Sequence, residues 1–205
     1  GWLLPFWEGI GEPVPPWNFA VDGVTSISAD VHKYGYCFKG ASTILYRDVE
    51  MKQRQHFLFD GWPGGLYGSA TTAGTRPAAP IAAAWATIQH LGRDGYLAKA
   101  RAVRAASRAF LAAIESLDEL EVSGRPDMSV FEFSSREGLE ATGAIGDVMD
   151  DRGWHLDRQQ GGLHLMVSPG HRSVTEAFGD DLRDAVATRG VSRGVAATYG
   201  GVPDS

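Results

Sequence analysis

The chain contains one cysteine, Cys37, in 205 residues. A single thiol cannot build a disulfide framework or a multi-thiolate metal site, and it fits a reducing compartment. Long apolar runs are also missing: no stretch approaches the ~20 apolar residues that span a bilayer. The apolar start, Gly1 to Trp7, is short, has no basic flank and soon meets Glu8 and Pro13. It therefore reads as neither a signal peptide nor a membrane helix. Excess positive charge is lacking too. A net charge of -6 disfavours nucleic acid or an anionic membrane as the main partner, since both reward a basic face. The six histidines are scattered and no His-Glu-x-x-His occurs, so no metal site is expected. No Gly-x-Ser-x-Gly elbow points to serine hydrolysis. The single thiol and these absences point to a cytoplasmic protein as the expectation.

What is present can fold. Hydrophobic residues make up 43% of the chain and charged residues 21%, enough for a substantial core at a size of one large domain or parts of two. The chain begins without methionine and ends without an evident closing element, which suggests a piece of a longer protein. Residues 2–10 suggest a short apolar helix or turn, 24–31 suggests a buried strand and 42–46 a second strand. Phe57 to Phe59 suggests another, leading into a glycine-rich loop over 61–76. Pro77 suits the first turn of an Ala-rich helix with Ile81, Trp85, Ile88 and Leu91 as its apolar stripe, stopped by Gly92. Asp94 suits the cap of a second helix reaching about Leu117. Beyond it, strands at 120–122, 128–133, 154–158 and 163–167 alternate with helices at 138–152 and 173–189. That order predicts a compact α+β unit with an antiparallel sheet. The division expected is residues 1–105 and 106–205, with the join inside the long helix.

The candidate chemistry centres on Lys33. It follows His32 at the end of an apolar run, and no lysine or arginine precedes it. A desolvated lysine sheds its proton more easily, and only the neutral amine attacks a carbonyl. Such a lysine suits a Schiff base with pyridoxal phosphate, with His32 at the phosphate or edge of the cofactor. Taken alone, a His-Lys pair is more often a surface lysine after a strand. Lys39, with Gly40 and Ser42 behind it, suits a phosphate as a point charge, or is a solvated turn lysine. The loop at 61–76 lacks the glycine spacing of a dinucleotide fingerprint and the Gly-Lys-Ser/Thr ending of a P-loop. It does place Ser69, Thr71, Thr72, Thr75 and Arg76 just before a helix N-terminus, where an anion is favoured. A plain helix-capping loop explains it equally well.

Two blocks carry a family resemblance: Ser26-Ile-Ser-Ala-Asp-Val-His-Lys-Tyr-Gly-Tyr with Lys39-Gly-Ala-Ser, and Trp62-Pro-Gly-Gly-Leu-Tyr-Gly-Ser-Ala-Thr-Thr-Ala-Gly-Thr-Arg-Pro. At their relative spacing they closely resemble sphingosine-1-phosphate lyases, within the group II pyridoxal-phosphate decarboxylase family. Weaker likeness continues through Gly153-Trp-His-Leu and Leu163-His-Leu. The resemblance implies an α/β, aspartate-aminotransferase-like type I fold, here a partial large domain plus a small α+β C-terminal domain. It implies that Lys33 bonds the cofactor pyridoxal 5'-phosphate and later moves protons, and that His32 contacts the cofactor phosphate. Thr75 then stands where the family has a serine reaching a cofactor phosphate across the dimer, and Lys39 where a lysine holds the substrate phosphate. Ala70, in place of a family proline, departs from the pattern, as do Cys37 and Phe38 where the family has Ala-Pro.

The resemblance further implies a homodimer with shared active sites and a small-molecule amine substrate. The reaction expected is retro-aldol cleavage of a phosphorylated long-chain amino alcohol to an aldehyde and phosphoethanolamine. An amino-acid decarboxylase, of glutamate or an aromatic amino acid, is the alternative within the enzyme class. An inactive dimerisation module is the alternative outside it. The family's ring-facing aspartate, stacking histidine and Gly-Thr phosphate loop have no counterpart here, so the isolated chain is expected not to turn over substrate.

Overall fold

A computed structural model describes residues 1–159 and 161–194. The chain divides into two compact units, Gly1–Ala98 and Lys99–Ser205.

The first unit begins with α1 (Leu4–Gly9), whose Pro5 sits in the first turn, where its missing N–H costs nothing. Strands β1 (Ser26–Ala29) and β2 (Thr43–Tyr46) pair antiparallel, Ser26 opposite Tyr46 and Ala29 opposite Thr43. The Thr43 hydroxyl donates to the Ala29 carbonyl at 2.6 Å, closing the end of the ladder from which the Lys33 segment departs. A short helix α2 (Val49–Gln53) follows, with the Asp48 carboxylate accepting from the Met51 amide at its N-terminus. Periodicity gave no sign of this single turn and a half, because helices this short are specified by their caps.

Strand β3 (Phe57–Phe59) pairs with β4 (Tyr67–Ser69). The reading of 61–76 as continuous loop therefore missed a strand, since Tyr-Gly-Ser has no period to detect. The Gln55 amide donates to the Ala70 carbonyl at 2.6 Å and ties this hairpin back to α2.

The Ala-rich segment forms α3 (Ala78–Glu115), broken at Gly92, whose φ of 56° and ψ of -174° are not helical. Left-handed φ suits only glycine well, so the expected stop at Gly92 is real. The second arm starts immediately after it, and Asp94 lies inside that arm's first turn instead of capping it. Only the later half of the expected apolar stripe is covered, Ile88 packing beside Ala84 and Leu91 being half-buried. Ile81 is 55% exposed and Trp85 67% exposed, whereas Ala84 is buried against Val31 and Cys37. Small side chains win this face because loop backbone approaches it closely: a Cβ on Gly40 would lie 2.8 Å from the Pro80 ring.

The second unit is the expected α+β arrangement. Strands β5 (Leu120–Val122), β6 (Val130–Ser135), β7 (Asp157–Arg158) and β8 (Leu163–Met166) form one antiparallel sheet in the order β5-β6-β8-β7. Along β6, Phe131, Phe133 and Ser135 are buried and alternate with more exposed residues, as a sheet covered on one face requires. Helices α4 (Leu139–Asp151) and α5 (Thr175–Thr188) supply Ile145, Met149, Phe178 and Leu182 to the same core, with Phe110 and Ile114 from α3. Phe178 meets Phe110 edge-on at 4.8 Å and Trp154 at 5.2 Å. A 3-10 turn, Pro169–Ser173, leads into α5.

A charged network ties residues 192–194 to α4. Arg158 reaches Asp147 at 2.5 Å and Asp150 at 2.7 Å, and the Arg193 amide donates to Asp147 at 2.5 Å. Burial pushes the Asp147 carboxyl up, but the Arg193 amide and the Arg158 guanidinium outweigh it and hold the group below the usual carboxylate range. The carboxylate therefore stabilises the fold above the ordinary carboxylate pKa, and that contribution fades as pH falls through the depressed value. Asp147→Asn should cost about 3 kcal/mol in urea denaturation at neutral pH, because it leaves Arg158 incompletely paired. The gap between variant and parent should close in strong acid.

Candidate functional site

Lys33 sits on a folded turn that leaves β1 and re-enters at β2. The Lys33 amide donates to the Asp30 carbonyl at 3.2 Å, the Tyr36 amide to the Lys33 carbonyl at 2.9 Å, and the Cys37 amide to the Val31 carbonyl at 3.0 Å. Gly35 lies so close to Val31 that an added Cβ would stand 2.3 Å from its carbonyl oxygen. Tyr36 then takes a left-handed φ of 57° to turn the chain outward. This conformation is costly for a bulky residue and persists only when neighbours over-determine it.

Those neighbours come from α3 and α1. The Tyr96 hydroxyl donates to the Gly35 carbonyl at 2.8 Å, and its ring stacks on Phe6 at 4.8 Å and Tyr36 at 6.4 Å. Trp2 meets the same ring edge-on at 5.8 Å. Burial pushes the Tyr36 and Tyr96 phenols up to about 12, so both stay protonated and Tyr96 stays a donor throughout the physiological range. Cys37 is buried below the turn, its thiol pointing at the Gly35 and Ala84 carbonyls, and burial pushes it up as well. A protonated buried thiol is packing, not a nucleophile.

On this base Lys33 points outward. Its side chain is 56% exposed and its amine lies 2.6 Å from Asp30 Oδ2. The expectation of a desolvated lysine is not met in this chain: a carboxylate three residues earlier takes the amine instead. Ser42, at the entry to β2, donates to the other Asp30 oxygen. That hydroxyl is thereby engaged at Asp30 instead of standing open beside Lys39. The Asp30 carboxyl is held below its ordinary range first by the Lys33 hydrogen bond and then by that of Ser42.

His32 is half-buried, with Nδ1 3.0 Å from the Ala41 carbonyl. A carbonyl only accepts, so Nδ1 carries a proton and the ring is oriented with Nε2 as its second functional atom. That atom donates to an anion only when the ring is doubly protonated. Lys39 is exposed on the same loop, one residue before Gly40, which packs on Pro80 of α3. The Gly40–Pro80 contact brings the Lys39 loop against the first turn of α3, just downstream of exposed Thr75 and Arg76. The fold thus joins Lys33, His32 and Lys39 on one loop and sets the helix start that follows Thr75 beside it. Asp30, Gly35 and Tyr96 were not singled out in advance. The signal for Asp30 was its i-3 position relative to Lys33; Tyr96, 63 positions along the chain, offered none.

Over 190 residues the chain is 42% identical to the sphingosine-1-phosphate lyase of Arabidopsis thaliana, covering 92% of this chain and 35% of that protein. The solved sphingosine-1-phosphate lyase of Burkholderia pseudomallei superposes with a TM-score of 0.84 at 40% identity, over 92% of this chain and 43% of the other. The chain is a homologue of the sphingosine-1-phosphate lyases. It spans about a third of the length of the curated lyase, so it corresponds to part of such a protein. The glutamate decarboxylase of Lactobacillus brevis superposes with a TM-score of 0.66 at 18% identity, over 89% of this chain and 44% of that one, a likeness of fold alone. No family model matches. These neighbours place the architecture within the α/β, aspartate-aminotransferase-like type I fold of pyridoxal-phosphate-dependent enzymes. Among the described residues no helix is long and apolar enough to cross a membrane.

Gly35→Ala tests the base of this lyase-like turn. It should lower stability by about 2 kcal/mol or more in denaturant titration, since the clash is with backbone and cannot be relieved by a rotamer change. Gly190→Ala, where an added Cβ meets nothing within 4 Å, should change stability by less than about 0.5 kcal/mol.

Proposed function

We propose that this chain is the lysine-bearing segment of a pyridoxal-phosphate-dependent carbon–carbon lyase. Its substrate class is a phosphorylated long-chain amino alcohol, cleaved to an aldehyde and phosphoethanolamine. The observation that carries this reading is the outward presentation of Lys33 on a braced turn, in a chain homologous to sphingosine-1-phosphate lyases.

The residues present fit the cofactor by the chemistry of their donors. A primary amine on a rigid turn suits the carbonyl, and an oriented imidazole suits the phosphate. When bound, pyridoxal phosphate supplies an electron sink for the pair left by a breaking bond. Lys33 would hold the cofactor through its carbonyl carbon, with loss of water, and its amine would serve as an acid or base toward the substrate. His32 would face the cofactor phosphate with Nε2, its ring being fixed by the Ala41 carbonyl at Nδ1. Thr75 adds a hydroxyl to a phosphate in a homodimer with shared active sites. Lys39 binds the substrate phosphate as a mobile cation. Residues 1–105 form the later part of the cofactor-binding domain and 106–205 a small C-terminal domain. The remaining electron-sink contacts belong to the parent protein, and the isolated chain captures cofactor without turning over substrate.

Borohydride reduction in the presence of pyridoxal phosphate should attach one cofactor to the peptide that contains Lys33, and Lys33→Ala should abolish it. Label on other lysines with none at Lys33 would overturn the reading. In the parent enzyme, Lys39→Ala should weaken binding of the phosphorylated substrate about tenfold, as loss of a charge-assisted hydrogen bond does. An aldehyde product marks the lyase, whereas carbon dioxide from an amino acid marks the decarboxylase alternative.

A further inference from the structure

We propose that Asp30 is a positioning residue for Lys33, a carboxylate that holds the lysine ammonium whenever the amine is not bonded to a carbonyl. This role rests on the function proposed above, but the geometry that supports it stands within the turn itself. Three features single out Asp30. Its Oδ2 lies 2.6 Å from the Lys33 amine, and its Oδ1 receives the Ser42 hydroxyl, so the carboxylate is gripped from both sides. Its side chain is 27% exposed against 56% for Lys33, so the anion is the more anchored partner and the lysine the mobile one. The grip spans the site's frame as well: Asp30 follows β1 directly, Ser42 precedes β2 directly, and those strands are paired. The carboxylate is therefore fixed by the sheet, and Lys33 swings against a stationary acceptor.

A lysine that alternates between a bonded and a free state needs somewhere to rest when free. Loose in solvent, a four-carbon chain samples many rotamers, and holding it near the reacting atoms costs side-chain entropy. A fixed carboxylate at i-3 shortens that search and keeps the ammonium within reach of the place it must return to. Attack on a carbonyl then requires the ion pair to open and the ammonium to release one proton to solvent or to a base. Asp30 thus makes the resting lysine less nucleophilic while keeping it in position. The Gly1 ammonium also interacts with Asp30 and Lys33, Lys39 lies exposed on the same loop, and the His32 ring has Nδ1 turned to the Ala41 carbonyl.

Trace acetylation of the full chain at a mildly alkaline pH reads this directly, because acetic anhydride reacts only with the free amine. Labelling of Lys33 is quantified by peptide mass spectrometry against exposed Lys52 as internal reference. Asp30→Asn should raise the Lys33:Lys52 ratio about twofold to fivefold, the range set by a half-exposed ion pair. Asp30→Glu should restore part of the protection, and Ser42→Ala should raise the ratio by less than Asp30→Asn does. Circular dichroism of each variant verifies that the turn remains folded. An unchanged ratio in folded Asp30→Asn overturns the proposal. Borohydride trapping of pyridoxal phosphate on the same proteins separates the two levels. Absence of label on Lys33 in the parent chain defeats the proposed function. If cofactor trapping in Asp30→Asn rises in the same proportion as acetylation, amine reactivity alone accounts for both and the positioning role alone is defeated.

Discussion

One hydrogen bond governs the presentation of the site. The Tyr96 hydroxyl holds the Gly35 carbonyl at 2.8 Å, at the point where the chain passes too close to Val31 for any side chain. Without that brace the left-handed Tyr36 that follows would be an unsupported strain. With it, the turn between β1 and β2 becomes a fixed platform, and Lys33 projects from its outer surface. The aromatic packing of Trp2, Phe6 and Tyr36 around Tyr96 keeps water from competing for that carbonyl.

The polar side of the platform works by division of labour. Ser42 holds Asp30, Asp30 holds Lys33, and Ala41 orients His32, so each functional atom is fixed by a group that does no chemistry itself. This arrangement suits the proposed role of Lys33, in which the amine would leave and return to the same place. It also explains why the amine is half-exposed and paired here instead of buried in apolar surroundings: a lysine kept neutral by burial would react more readily but would lose its resting position.

The second unit depends on different physics. Its core is a one-sided antiparallel sheet closed by α4, α5 and part of α3 through Phe133, Phe178, Leu182 and Met149, all fully buried. Asp147 and Arg158 add a nearly dry ion pair that clamps residues 192–194. Apolar burial supplies most of the stability, and the charged network fastens residues 192–194.

Much of this was legible in the sequence. Alternation in Val130 to Ser135, the stop at Gly92 and the helical stripes beyond it follow from local rules of pleat, glycine conformation and helical period. That Lys33, His32 and Lys39 share one loop was legible because they lie within one short segment between two strands. The strand Tyr67–Ser69 and the helix Val49–Gln53 were not, because pairing and capping, not periodicity, specify elements so short. Tertiary structure alone decided which partner takes the Lys33 amine, which face of α3 is buried, and that Tyr96 reaches Gly35. Each is a choice among competing contacts distant in sequence or equal in local preference. Sequence by itself singled out Lys33 as the candidate for the proposed chemistry; the fold decided that this lysine stands on a braced turn with a carboxylate beside its amine.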